Sequence, residues 1–152
     1  MQRQIMKNLI RWKNKVNRKP LILNGARQTG KTWILREFGK TCFASCAYIR
    51  FDNNEVAKNI FNQDYNISRI IEQLSLFSNV NIKASETLII FDEIQECPKA
   101  LTSLKYFCEE GSQYYVACAG SLLGIKLGAD QKKNKAGTGF PVGKVEYLNL
   151  MP

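Results

Sequence analysis

Histidine is missing altogether from the 152 residues, and no apolar run approaches the roughly 20 residues that cross a bilayer as a helix. The second absence excludes a membrane-spanning helix. Residues 1–19 carry scattered apolar positions without a continuous hydrophobic region, so no signal peptide is expected. The lack of histidine bears on metals. Cys42, Cys46, Cys97, Cys108 and Cys118 are odd in number and irregularly spaced, and the one close pair, Cys42 and Cys46, has no partnered second pair. A zinc site is therefore not expected, and the five read as buried thiols of a cytoplasmic protein. Acids are missing from residues 1–19, where Arg3, Lys7, Arg11, Lys13, Lys15, Arg18 and Lys19 supply most of a net charge of +9.

Two readings of that basic stretch stay open. Ile5, Leu9, Trp12 and Val16 recur at helical spacing, which predicts an amphipathic helix with one apolar stripe and a solvated basic face. The same charges could meet nucleic acid. The rest of the composition, 45% hydrophobic and 23% charged, is that of a globular chain. Its length suits one domain, burying about 68–70% of the unfolded surface. The expected division is a basic helix over 1–19 and a single core over 20–152.

Gly25, Ala26, Arg27, Gln28, Thr29, Gly30, Lys31 and Thr32 fit the pattern G-x-x-x-x-G-K-[ST] without a substitution. Glycines let successive backbone N–H groups turn inward around an anion. Lys31 brings a point charge to the β and γ phosphates of a nucleotide, and Thr32 a hydroxyl ligand for Mg²⁺. The four fixed positions coincide by chance in about 1 of 200 chains this long. Context argues against chance, because the apolar run from Pro20 to Asn24 predicts a buried strand before the loop. Ile34, Leu35 and Phe38 predict a helix after it, ending at Gly39.

A second stretch completes the picture. Thr87 to Phe91 reads as a buried parallel strand from whose C-terminal end Asp92 and Glu93 emerge. In a phosphate-loop protein the first acid, Asp92, joins Thr32 in the Mg²⁺ shell, and Glu93 orients and polarises the water that attacks the γ-phosphate. Strands are also predicted over 47–51, 113–119 and 144–150. Packing helices are predicted around Val56, Ile60 and Phe61, around Ile67 to Phe77 behind a cap at Asn66, and over 98–110, with Leu101, Leu104, Phe107 and Cys108 inward. Ser121, at a strand tip beside the acids, is a candidate sensor of the γ-phosphate or a cap on the next turn. The glycine- and lysine-rich stretch 124–143 reads as a surface loop.

Together PLILNGARQTGKT, TLIIFDEIQECPKALTSLKYFCEE, AGSLLG and FPVGKVEYLNLMP resemble the bacterial and archaeal AAA+ ATPases with a GARQ-type phosphate loop. The resemblance implies an α/β P-loop NTPase fold: a mostly parallel five-stranded sheet with helices on both faces, preceded by the amphipathic helix. It implies ATP and Mg²⁺ as cofactors, a phosphate loop at Gly25 to Thr32, acids at Asp92 and Glu93, and a polar sensor at Ser121. Relatives continue into a helical lid and a further domain, so the chain is expected to stop after the last core strand. Many carry arginine where Lys144 stands, so no arginine finger is assigned. The function expected is ATP hydrolysis. The alternatives are a nucleotide-dependent module associated with DNA or a partner, and, with no evident acceptor pocket, a small-molecule kinase. Partners expected are ATP, nucleic acid through the basic face, and a second copy in a homo-oligomer.

Overall fold

The computed structural model describes residues 2–25, 30–121 and 143–150. Helix α1 (Gln2–Lys13) leads to strand β1 (Leu21–Asn24), helix α2 (Lys31–Cys42) and strand β2 (Ser45–Arg50). Helices α3 (Glu55–Asn59) and α4 (Ile67–Ser78) precede strand β3 (Thr87–Asp92). A 3-10 turn (Ile94–Glu96), helix α5 (Pro98–Glu110) and strands β4 (Tyr115–Gly120) and β5 (Glu146–Asn149) follow.

The strands lie in the order β2-β3-β4-β1-β5, and every pairing is parallel. Continuous apolar runs make the inner strands, because parallel strands are covered on both faces: β1 and β3 are buried at every position. Edge strand β5 instead alternates half-buried and exposed residues. Side-chain alternation along the strands divides the core in two. Leu21, Leu23, Leu88, Ile90, Ala117 and Ala119 pack with Ile5, Leu9 and Trp12 of α1 and Ile34, Leu35 and Phe38 of α2. Ile22, Ile49, Ile89, Phe91, Val116 and Cys118 pack on the other side with α3, α4 and α5. The expected α/β architecture, helices on both faces included, is the one observed.

Several local expectations change. Gly39 does not end α2, which runs to Cys42. A Cβ at Gly39 would lie 2.8 Å from Cys46 Sγ and 3.3 Å from Leu88 Cδ2, so the glycine lets the helix press onto β2 and β3. Val16 falls beyond the end of α1 and is 95% exposed, because the chain leaves the helix after Lys13. Trp12 makes that exit: its indole N–H donates to Lys19 O at 2.7 Å, and its ring meets Phe38 and Tyr115. Val56 and Phe77 lie on the outer sides of α3 and α4, and Cys108 is half-buried. The Asn66 cap is present, its side chain accepting from Arg69 N at 2.9 Å.

Candidate functional site

Parallel pairing sends the C-terminal ends of all five strands to one edge of the sheet. The register sets Asn24 level with Gly120 and Asn149, and Asp92 level with Ala119 and Arg50. Only β4 separates β1, which feeds the glycine loop, from β3, which carries the acids. A crevice outside such an edge, where the strand order reverses, is where open α/β sheets bind ligands.

Of the phosphate-loop residues, Ala26, Arg27, Gln28 and Thr29 lie outside the described residues. Gly30 adopts the left-handed conformation, φ 84° and ψ 19°, with nothing among the described residues within 4 Å of where a Cβ would stand. A side chain there would be strained and would fill that open space. Its carbonyl accepts from Ile34 N at 3.0 Å and starts α2, whose first turn has no side-chain cap and no acid. No acid offsets the positive dipole end of α2, which therefore suits an anion. Lys31 Nζ donates back to Gly25 O at 2.6 Å.

At the second residue of α2, Thr32 Oγ1 donates to Asp92 Oδ2 at 2.8 Å. Residues sixty positions apart thus meet because α2 begins where β3 ends. Asp92 is only 5% exposed. Its other oxygen accepts the Glu93 backbone N–H at 2.9 Å, and Tyr48 from β2 donates its hydroxyl to Oδ2. Burial, then the hydrogen bond to Asp92, pushes the Tyr48 phenol above its ordinary pKa, so it stays a donor at neutral pH. Glu93 is not part of the strand. It sits in the left-handed region, φ 53° and ψ 48°, which costs a non-glycine residue about 1–3 kcal/mol and turns the chain sharply off β3.

Gln95 follows in the 3-10 turn. Its Nε2 donates to Glu93 Oε1 at 2.7 Å, and its Oε1 accepts the Ser121 backbone N–H at 3.4 Å. Glu93 and Ser121, singled out separately in the sequence, are thereby linked through one amide. Neither Gln95 nor Tyr48 was singled out. The Gln95 signal was its place two residues after Glu93; Tyr48, in a strand of mixed residues, carries no pattern. Lys144 pairs with Glu109 at 3.1 Å.

The donor set suits a magnesium nucleotide. A hydroxyl and a carboxylate are hard oxygen ligands, and Mg²⁺ takes only one or two protein oxygens beside phosphates and water. Asn24, last residue of β1, is buried with an Oδ1 that has no hydrogen-bond partner among the described residues. A buried acceptor without a partner is uncommon, and this one stands at the base of the loop.

The fold has solved counterparts. The Caenorhabditis elegans PCH-2 structure superposes with a TM-score of 0.52 at 12% identity, covering 98% of this chain and 41% of that one. Aeropyrum pernix ORC1, solved in complex with DNA, superposes with a TM-score of 0.54 at 16% identity, covering 99% of this chain and 43% of its own. The chain thus spans less than half the length of these structures. No curated protein sequence matches it. At such identities the superpositions speak for the fold alone. Residues 17–152 match the model of the AAA domain family, and with an acid-bearing β3 one strand removed from β1, which leads into the G-x-x-x-x-G-K-T segment, the chain belongs to that family.

Proposed function

We propose that the chain is an ATP-hydrolysing core in which Gly25 to Thr32 hold the phosphates and Glu93 activates water. The observation that carries this reading is the meeting of Thr32 and Asp92, 2.8 Å apart, beside Glu93. Thr32 and Asp92 would hold a Mg²⁺ ion, which when bound neutralises charge on the β and γ phosphates. Lys31 leaves its carbonyl partner and brings its ammonium to the same oxygens. The Glu93 carboxylate orients a water toward the γ-phosphorus and takes its proton. The bond from that phosphorus to the bridging oxygen breaks, releasing ADP and phosphate. Ser121, tied to Glu93 through Gln95, lies on the strand tip suited to sensing the γ-phosphate.

Calorimetry and phosphate release test the reading. Lys31→Ala should lose at least about 10-fold in ATP affinity, some 1.4 kcal/mol. Glu93→Gln should bind ATP as the parent does while turnover falls about 10²-fold or more. Unchanged affinity in Lys31→Ala refutes the phosphate-loop assignment, and unchanged turnover in Glu93→Gln refutes the role of Glu93.

One observation favours a second, compatible reading, a nucleotide-dependent module on nucleic acid. Arg3, Lys7 and Arg11, four residues apart, line one exposed side of α1. ORC1, similar in fold, was solved on DNA. Phosphate contacts by such a stripe would carry affinity without sequence preference.

A further inference from the structure

The metal-holding pair is supported from a third element. Tyr48 lies on β2, level with Ile90 and two residues before the pair formed by Arg50 and Asp92. Its ring packs against the Arg36 guanidinium, 4.2 Å from the ring centroid, while its hydroxyl reaches Asp92 Oδ2. Arg36 and Thr32 are four residues apart on α2 and so share one side of that helix. One helical stripe thus fixes the ring of Tyr48 and meets the carboxylate that the same tyrosine holds.

Three donors converge on Asp92: the Thr32 hydroxyl and the Tyr48 hydroxyl on Oδ2, and the Glu93 N–H on Oδ1. All three are neutral. A carboxylate offers about four lone-pair positions, so these donors set its orientation without using all of its capacity. A buried carboxylate whose hydrogen-bond donors among the described residues are all neutral, with the Arg50 guanidinium acting on it only through space, is a place that a cation completes. The torsion that turns an aspartate carboxylate is otherwise broad and roughly two-fold, so removing one of the two donors on Oδ2 loosens its orientation.

We infer that Tyr48 is a positioning residue that holds the Asp92 carboxylate for the divalent cation accompanying the nucleotide, and thereby sets the Mg²⁺ dependence of nucleotide affinity. The inference rests on the magnesium-nucleotide reading of the site and does not require hydrolysis. Groups that orient a metal ligand contribute about 10–100-fold in metal affinity, which sets the effect to expect. Tyr48→Phe deletes the donor and keeps the ring against Arg36.

The test is a fluorescence titration of a non-hydrolysable ATP analogue, run in EDTA and over a series of Mg²⁺ concentrations. In EDTA, Tyr48→Phe should match the parent within about 2-fold, since no contact to the nucleotide is removed. The Mg²⁺ concentration giving half of the affinity gain should rise about 10-fold. In an Asp92→Ala background the second substitution should change nothing further. Arg36→Ala, which uncovers the ring, should give a smaller shift of the same kind and serves if Tyr48→Phe folds poorly. A Mg²⁺ response equal to the parent's in Tyr48→Phe, or an equal loss with and without Mg²⁺, overturns the inference while leaving the nucleotide site intact. A parent chain that binds the analogue under neither condition, or binds it with no response to Mg²⁺, overturns the magnesium-nucleotide reading and the inference with it.

Discussion

At the residue scale, the left-handed Glu93 is held by its neighbours. Its N–H goes to Asp92 Oδ1 and its carboxylate accepts from Gln95. A general base must be within hydrogen-bond reach of its water, and a misplacement of about 1 Å can cost as much as 10²-fold in rate. Gln95→Ala leaves the Glu93 carboxylate without its amide partner. On the proposed reading its turnover falls about 10-fold with ATP affinity unchanged, and in a Glu93→Gln background the same substitution has no further effect. Steady-state phosphate release from the four chains of this double-mutant cycle measures both. Additive losses would mean that Gln95 acts on the fold rather than on Glu93.

At the element scale, α2 carries the loop, Thr32 and Arg36, so its seating on the sheet governs the site. Gly39 permits that seating. Alanine in a helix is favoured over glycine by about 1 kcal/mol, but overpacking a core costs about 1–3 kcal/mol. The Cβ would meet Cys46 Sγ at 2.8 Å and Cys46 Cβ at 3.1 Å, on a strand braced by β3. Gly39→Ala should therefore lose about 1 kcal/mol net by urea denaturation, and a Cys46→Ala partner substitution should recover most of the loss. On the other face, α4 depends on its cap. Asn66→Ala removes the acceptor of Arg69 N and should cost about 1 kcal/mol by the same measurement.

At the scale of the whole molecule, charge and thiols are distributed unevenly. Much of the basic N-terminal stretch serves the fold. Lys13 donates to Cys42 O at 2.6 Å, Lys15 pairs with Glu146 at 2.5 Å, and Arg18 donates to Ser112 O at 2.6 Å while lying over the Tyr115 ring. The solvated stripe is Arg3, Lys7 and Arg11. If it meets DNA, replacing all three by glutamine should weaken binding of unrelated sequences alike and lower the slope of log affinity against log salt by about 3, near 0.9 per phosphate contact. The cysteines likewise separate by depth. Burial pushes the Cys118, Cys97 and Cys46 thiols above their ordinary pKa, and Cys118 and Cys97 are buried. Thiolate is the reacting form, so alkylation at pH 8 read by mass spectrometry should modify half-buried Cys42 and Cys108 first, and Cys118 only as the chain unfolds.

What the sequence determined by itself is what local pattern can encode. Apolar runs specified the inner strands, and the P-loop spacing marked the turn at Gly30 from which α2 starts. The Pro98–Glu110 helix and the Asn66 cap were legible to the residue, because proline at N1 and a capping amide act within one turn. The tertiary structure decided what depends on neighbours distant in the chain. Gly39 reads as a helix end until Cys46 is placed against it, and Val16 fits the apolar stripe until Trp12 bonds Lys19 O and turns the chain away. Tyr48 has no signature in one dimension, since only the pairing of β2 with β3 brings its hydroxyl to Asp92. Thr32 and Asp92 could each be named from the sequence. Their meeting required the strand order β2-β3-β4-β1-β5, which sends every parallel strand's C-terminal end to one edge and leaves a single strand between loop and acid.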